Sequence, residues 1–67
     1  MVKKRILITG VSGLVGTVLA ASLKKDHEVS GVDLIESKVV PTLKADCSDI
    51  EEILPAFSGI DTVIDLA

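Results

Sequence analysis

Residues 7–16 read LITGVSGLVG, a run of branched apolar residues that gives way to glycines at positions 10, 13 and 16. This stretch constrains the chain more than any other, because a strand must stop and a helix must start within a few residues. Residues 5–9, RILIT, are apolar and β-branched, the pattern of a buried strand. LVGTVLAASLKK then places Leu14, Val15, Val18, Leu19 and Leu23 at helical spacing, and Lys24 and Lys25 in the last turn complement the helix dipole. HEVSGVDL (27–34) predicts a second strand ending near Asp33, and PTLKAD (41–46) a third, with Pro41 tolerated at its first position. Residues 35–40 carry no assigned element. Asp49 and Glu52 predict a reciprocal helix cap, with Ile50, Ile53, Leu54 and Phe57 on the buried side and Pro55 keeping the helix short. Ser58-Gly59 ends it, and DTVIDLA (61–67) is the fourth strand.

The order β-α-β-β-α-β, with strands buried on both faces, implies right-handed crossovers and a parallel sheet. The fold class is therefore α/β, the N-terminal half of a Rossmann doubly wound parallel sheet with expected strand order 3-2-1-4. A length of 67 residues allows one domain at most, and residues 1–67 read as a single partial domain of a larger protein. The 48% hydrophobic content comes in short runs, which suits a packed core rather than a disordered chain. One aromatic, Phe57, and a net charge of −3 argue against a nucleic-acid partner. Lys3-Lys4-Arg5 reads as a solvated end to the first strand. A single cysteine suits a reducing compartment, and no apolar run approaches the ~20 residues needed to span a bilayer. The expectation is a soluble, cytoplasmic chain with no membrane partner. His27 is expected in solvent, no residues form a metal site, and Cys47 has no neighbouring base to make it a nucleophile.

In a doubly wound sheet, ligands sit beyond the carboxyl ends of the strands, where the strand order reverses, and the first strand lies at that point. Gly10 permits a sharp exit from the strand, Gly13 lets a diphosphate approach the backbone, and Gly16 allows close packing of helix on sheet. The N–H groups of Leu14 and Val15 then point toward the anion, aided by the helix dipole. The spacing G-x-x-G-x-x-G is wider than the usual G-x-G-x-x-G, so context matters. Asp33 follows Gly16 by 17 residues, where a carboxylate accepts from the adenosine ribose hydroxyls and repels a 2′-phosphate. No arginine occurs in the following LIESK, which favours NAD over NADP. Plainer readings stand beside these: turn glycines only, an ordinary strand-end acid at Asp33, and a helix cap at Asp46.

The wider gap also carries a resemblance. TGVSGLVG resembles the TGxxGxxG motif of extended short-chain dehydrogenases/reductases, the NAD-dependent epimerase/dehydratase family. The resemblance continues through GVDL (31–34), ADCSD (45–49) and GIDTVIDLA (59–67), so it covers essentially the whole chain. It implies that Gly10, Val11, Ser12, Gly13, Leu14, Val15 and Gly16 surround the diphosphate, with Asp33 and Leu34 at the ribose. It further implies that Asp46 meets the adenine amino group, that the Cys47 backbone touches the ring, and that Leu66 and Ala67 lie beside ribose and diphosphate. It departs at Asp65, where the family often has histidine. Strand alternation puts Asp65 on the face of Val63, the expectation being a buried or cofactor-adjacent carboxylate.

The family's catalytic Ser/Thr and Tyr-x-x-x-Lys are expected outside this stretch, which has no tyrosine. The resemblance thus implies the cofactor-binding part of an NAD-dependent oxidoreductase or isomerase acting on nucleotide sugars or related sugar derivatives. A sugar-type substrate would bind only the complete enzyme. The alternative is a non-catalytic NAD-binding or redox-sensing Rossmann module. TVIDL, as an unpaired parallel edge, predicts a homodimer or other edge-strand association.

Overall fold

β1 (Arg5–Thr9) takes the middle of the sheet because Ile6, Leu7, Ile8 and Thr9 are all buried, leaving only Arg5 in solvent. The structure is a computed structural model that describes residues 3–67. β2 (Glu28–Asp33), β3 (Thr42–Lys44) and β4 (Thr62–Asp65) complete a parallel sheet of order β3-β2-β1-β4, the order expected from the sequence. β1 pairs with β2 from Arg5↔Glu28 to Thr9↔Val32, and with β4 from Ile6↔Thr62 to Thr9↔Asp65. Because successive side chains alternate faces, β1 feeds two cores at once. Ile6 and Ile8 join Val11, Ala20, Val29 and Val40 on one face, while Leu7 joins Val32, Ala45 and Ile53 on the other.

α1 (Leu14–Leu23) covers the first face, but not with the residues its spacing singles out. Gly16 and Ala20 are its buried positions, and Leu14, Val15 and Val18 are exposed by 86%, 66% and 66%. The reason is distance. The helix starts so near the β1 turn that only small residues fit inward, and Leu19 and Leu23 pack at the flanks. Lys24 lies just past the last turn as the C-cap, and its ammonium donates to the Val39 carbonyl at 3.2 Å.

The second helical segment is also turned from its expected face. α2 (Ile50–Ile53) buries Ile53 alone, whereas Ile50, Leu54 and Phe57 are exposed. Pro55 converts the chain to a 3₁₀ turn, Leu54–Phe57, whose tighter winding breaks the 3.6-residue register of the apolar positions. Asp49 does cap α2, accepting from the Glu52 N–H at 3.3 Å. The reciprocal half of the predicted cap goes elsewhere: Glu52 Oε1 accepts from the Asp46 N–H at 3.3 Å. The Asp49 N–H is already committed to the Asp46 carbonyl at 2.9 Å.

Two polar groups do structural work that periodicity does not reveal. His27, expected in solvent, is half-buried, and its Nδ1 accepts from the Lys4 N–H at 3.1 Å, tying the turn before β2 to the start of β1. Ser37 organises the stretch between β2 and β3. Its hydroxyl accepts from the Val39 and Val40 N–H groups at 3.0 and 3.3 Å, and its own N–H donates to Thr42 Oγ1 at 3.0 Å. Among the described residues, no helix is long and apolar enough to cross a membrane.

Gly31 in β2 lies against Val11, and a Cβ there would overlap the fully buried Val11 side chain. Gly31→Ala is therefore expected to cost about 1–3 kcal/mol by overpacking. Adding Val11→Ala should recover part of that loss, which urea denaturation of the single and double variants will show.

Candidate functional site

At the carboxyl ends of the strands, beside the point where the strand order reverses at β1, the chain leaves an open cleft of about 350 Å³. Its walls are Gly10, Gly13, Asp33, Leu34, Ala45, Asp46, Cys47, Leu66 and Ala67. The structure thus brings together the first turn, the end of β2, the end of β3 and the end of β4. Ala45 is the one wall residue that sequence reasoning missed. It follows β3 directly and is 4% exposed, so its signal was only a small residue where the strand ends.

The glycines differ in what requires them. Gly10 has φ 73°, a conformation side chains rarely adopt, and a Cβ would lie 3.0 Å from Leu66 C and Ala67 N. Gly16 is held by contact, since a Cβ would sit 2.6 Å from the Gly10 carbonyl oxygen. Gly13 is different: its φ of −69° suits any residue, and a Cβ would meet only the Gly10 oxygen, at an ordinary 3.5 Å. Nothing in the chain's own packing demands glycine there. Gly13 is also the N-cap of α1, where Ser, Thr, Asp or Asn would satisfy the free helical N–H groups, yet no side chain caps this helix. The first helical bond runs from the Thr17 N–H to the Gly13 carbonyl at 2.9 Å, leaving the Leu14 and Val15 amides ahead of it at the positive end of the helix.

Asp33 ties the end of β2 to this turn. Its Oδ2 accepts from the Ser12 N–H at 3.0 Å and its Oδ1 from the Leu34 N–H at 2.7 Å. A carboxylate offers roughly four acceptor positions, so two such bonds leave capacity for hydroxyl donors. Ser12 itself stands outside the cleft: its hydroxyl donates to the Ile35 carbonyl, and it lines a neighbouring cavity with Thr17 and residues 35–38. Val11, taken with the turn as a ligand contact, has its side chain wholly in the core, so only its backbone is on offer. The Leu14 and Val15 side chains point to solvent, and Gly16 lies buried behind the turn.

On the opposite side, Asp46 Oδ1 accepts from the Ser48 N–H at 2.9 Å and the Ser48 hydroxyl at 2.7 Å. The backbone bond first, and the hydroxyl second, hold its carboxyl below the usual range. Asp46 does not cap α2, because Asp49 fills that role. Cys47 is half-buried against the second core, with its Sγ 3.9 Å from the Val32 carbonyl. Asp65 is exposed rather than buried. Its Oδ1 accepts from the Thr9 hydroxyl at 2.5 Å and from the Ala67 N–H at 3.3 Å.

The fold and the cleft together define a Rossmann-like α/β sheet with a glycine turn and a carboxylate at its strand reversal. Residues 6–67 match the model of the NAD dependent epimerase/dehydratase family. The chain belongs to that family, and NAD is its cofactor. It is similar to an L-arabinose 1-dehydrogenase (NAD(P)(+)) of Haloferax volcanii, 35% identical over 63 residues that cover 94% of this chain and 25% of the relative. It is similar also to a 3-beta-hydroxysteroid dehydrogenase of Mycolicibacterium neoaurum, 35% identical over 69 residues, covering 94% of this chain and 19% of that protein. The chain thus spans a quarter or less of the length of these relatives. No solved structure matches it.

The two helix-start glycines should separate in a stability measurement. Gly13→Ala is expected to cost less than about 1 kcal/mol, the difference between glycine and alanine at an N-cap. Gly16→Ala drives a methyl into backbone and should cost about 1–3 kcal/mol. Asp46 supplies a pH test. Its folded pKa is lowered, so the Ser48 bonds contribute above the ordinary carboxylate range and are lost as pH falls through the lowered value. Ser48→Ala should raise the Asp46 titration toward the ordinary range, as read from side-chain carboxyl NMR shifts.

Proposed function

We propose that this chain supplies the adenosine diphosphate half of the NAD site in an oxidoreductase acting on nucleotide sugars or related sugar derivatives. The observation that carries the reading is Gly13. Its missing side chain has no purpose inside the protein, and it leaves bare backbone on the wall of the cleft at the uncapped start of α1. A diphosphate supplies the missing partner for both, since it accepts from the Leu14 and Val15 amides and needs the space a Cβ would take.

The remaining walls fit the rest of the nucleotide. Asp33 accepts from the ribose hydroxyls with the acceptor capacity its two backbone bonds leave, and its charge disfavours a 2′-phosphate. Leu34, Asp46 and Cys47 border the adenine, with Asp46 held ionised by Ser48 as an acceptor for the amino group. Leu66 and Ala67 form the facing wall beside ribose and diphosphate. Bound NAD supplies a hydride acceptor at its nicotinamide end. The proton-transfer pair that the family resemblance implies, Tyr-x-x-x-Lys, has no counterpart in these 67 residues, which include no tyrosine. The sugar assignment draws support from the relative named for L-arabinose. β4 pairs on its β1 side, and Val63 and Leu66 are 44% and 40% exposed. Among the described residues the other edge of β4 has no strand beside it, which leaves that edge able to pair with a further strand.

Calorimetric titration tests the reading. The chain should bind NAD, and Gly13→Ala should weaken binding about tenfold or more while leaving the fold intact. Asp33→Ala should lower affinity for NAD far more than for NADP. A folded chain that ignores NAD, or a Gly13→Ala variant that binds it normally, overturns the assignment.

A further inference from the structure

The bonds of Asp65 form a closed arrangement at the end of β4. Thr9 and Asp65 are register partners on β1 and β4, the last pair before both strands turn away. Thr9 is 6% exposed, and its hydroxyl donates to Asp65 Oδ1. The same oxygen accepts from the Ala67 N–H two residues on, and the Leu66 N–H donates to the Thr9 carbonyl at 3.0 Å. One carboxylate oxygen therefore joins the side chain of the central strand to the backbone that leaves the edge strand. The Leu66–Ala67 backbone is held in this way directly over Gly10, close enough that a Cβ at residue 10 would come within 3.0 Å of it.

We propose that Asp65 is a positioning residue, which fixes the Leu66–Ala67 backbone as one wall of the nucleotide cleft. The proposal rests on the NAD-site reading for its ligand, but the clamp is visible in the protein alone. Without the clamp, Leu66 keeps its ladder bond to Thr9 while Ala67 loses the bond its N–H makes among the described residues, so the wall nearest Gly10 loosens. The acceptor oxygen does this work and the negative charge does not. A carboxylate beside a diphosphate site is a repulsive neighbour, so an uncharged group of the same shape holds the wall equally well and favours the anion.

The amide analogue separates these roles, because the side-chain oxygen of asparagine accepts from both Thr9 and Ala67. Asp65→Ala should weaken NAD binding about tenfold, the scale of losing the hydrogen bonds to one acceptor oxygen, and should speed hydrogen exchange at the Ala67 amide. Asp65→Asn should restore slow Ala67 exchange and bind NAD at least as tightly as the original chain. Thr9→Val, which keeps the buried shape and removes the donor, should reproduce part of the Asp65→Ala loss. Combining it with Asp65→Ala should add little, since both remove one clamp. Unchanged affinity in Asp65→Ala, or an Asp65→Asn variant as weak as alanine, overturns the positioning role. If the original chain binds no NAD, the site reading fails and the ligand half of this proposal with it. Ala67 exchange across the three variants still decides whether the clamp exists.

Discussion

The contact between Gly16 and the carbonyl of Gly10 sets the distance between helix and sheet, and much else follows from that distance. With no side chain between them, α1 starts directly behind the β1 turn. Its inward face must then be built from small residues, Gly16 and Ala20, and its longer apolar side chains are displaced outward or to the flanks. The same proximity brings the uncapped start of the helix to the wall of the cleft. A bulkier residue at position 16 would push the helix back and carry the amides of Leu14 and Val15 away from any ligand seated on Gly13. Packing and binding are thus one constraint expressed at two glycines, three residues apart.

Around that contact, the cleft is held by hydrogen bonds between elements distant in sequence. Asp33 reaches back to Ser12, and Ser12 to the Ile35 carbonyl, so the end of β2 and the glycine turn move together. On the far side, Asp65 ties β4 to Thr9. The central strand is the common partner of both arrangements, through its residues or the turn that follows it. Its burial on both faces, with Leu7 and Ile8 fully enclosed, gives the cleft a rigid floor.

Much of this was legible in the sequence, and the exceptions share a cause. Strand positions, the 3-2-1-4 order and the cleft residues Gly10, Gly13 and Asp33 follow from local patterns (apolar runs, glycine spacing and an acid at a strand end), whereas Asp46 came only with the family resemblance. What failed was orientation. In α1 apolar residues occupy most of the circumference, so spacing alone cannot say which face turns inward, and the decisive fact is a backbone distance. In α2 the 3₁₀ turn at Pro55 changes the period partway through the pattern, which put Leu54 and Phe57 on the wrong side. His27 and Asp65 found partners that depend on which strands lie side by side and in what register. No window of neighbouring residues contains that information.

The passage from β2 to β3 shows a different economy. Parallel neighbours are usually joined by a crossover of a dozen or more residues, most often a helix that also roofs the sheet. Here the link is the eight residues 34–41, folded around Ser37 and without a helix, and it turns Val40 into the core with Val39 beside it. Those two valines serve as the roof tiles that a helix would otherwise lay. Trimming this link would therefore not be the harmless surgery that surface loops tolerate, because it would open the first core to water as well as shorten the chain.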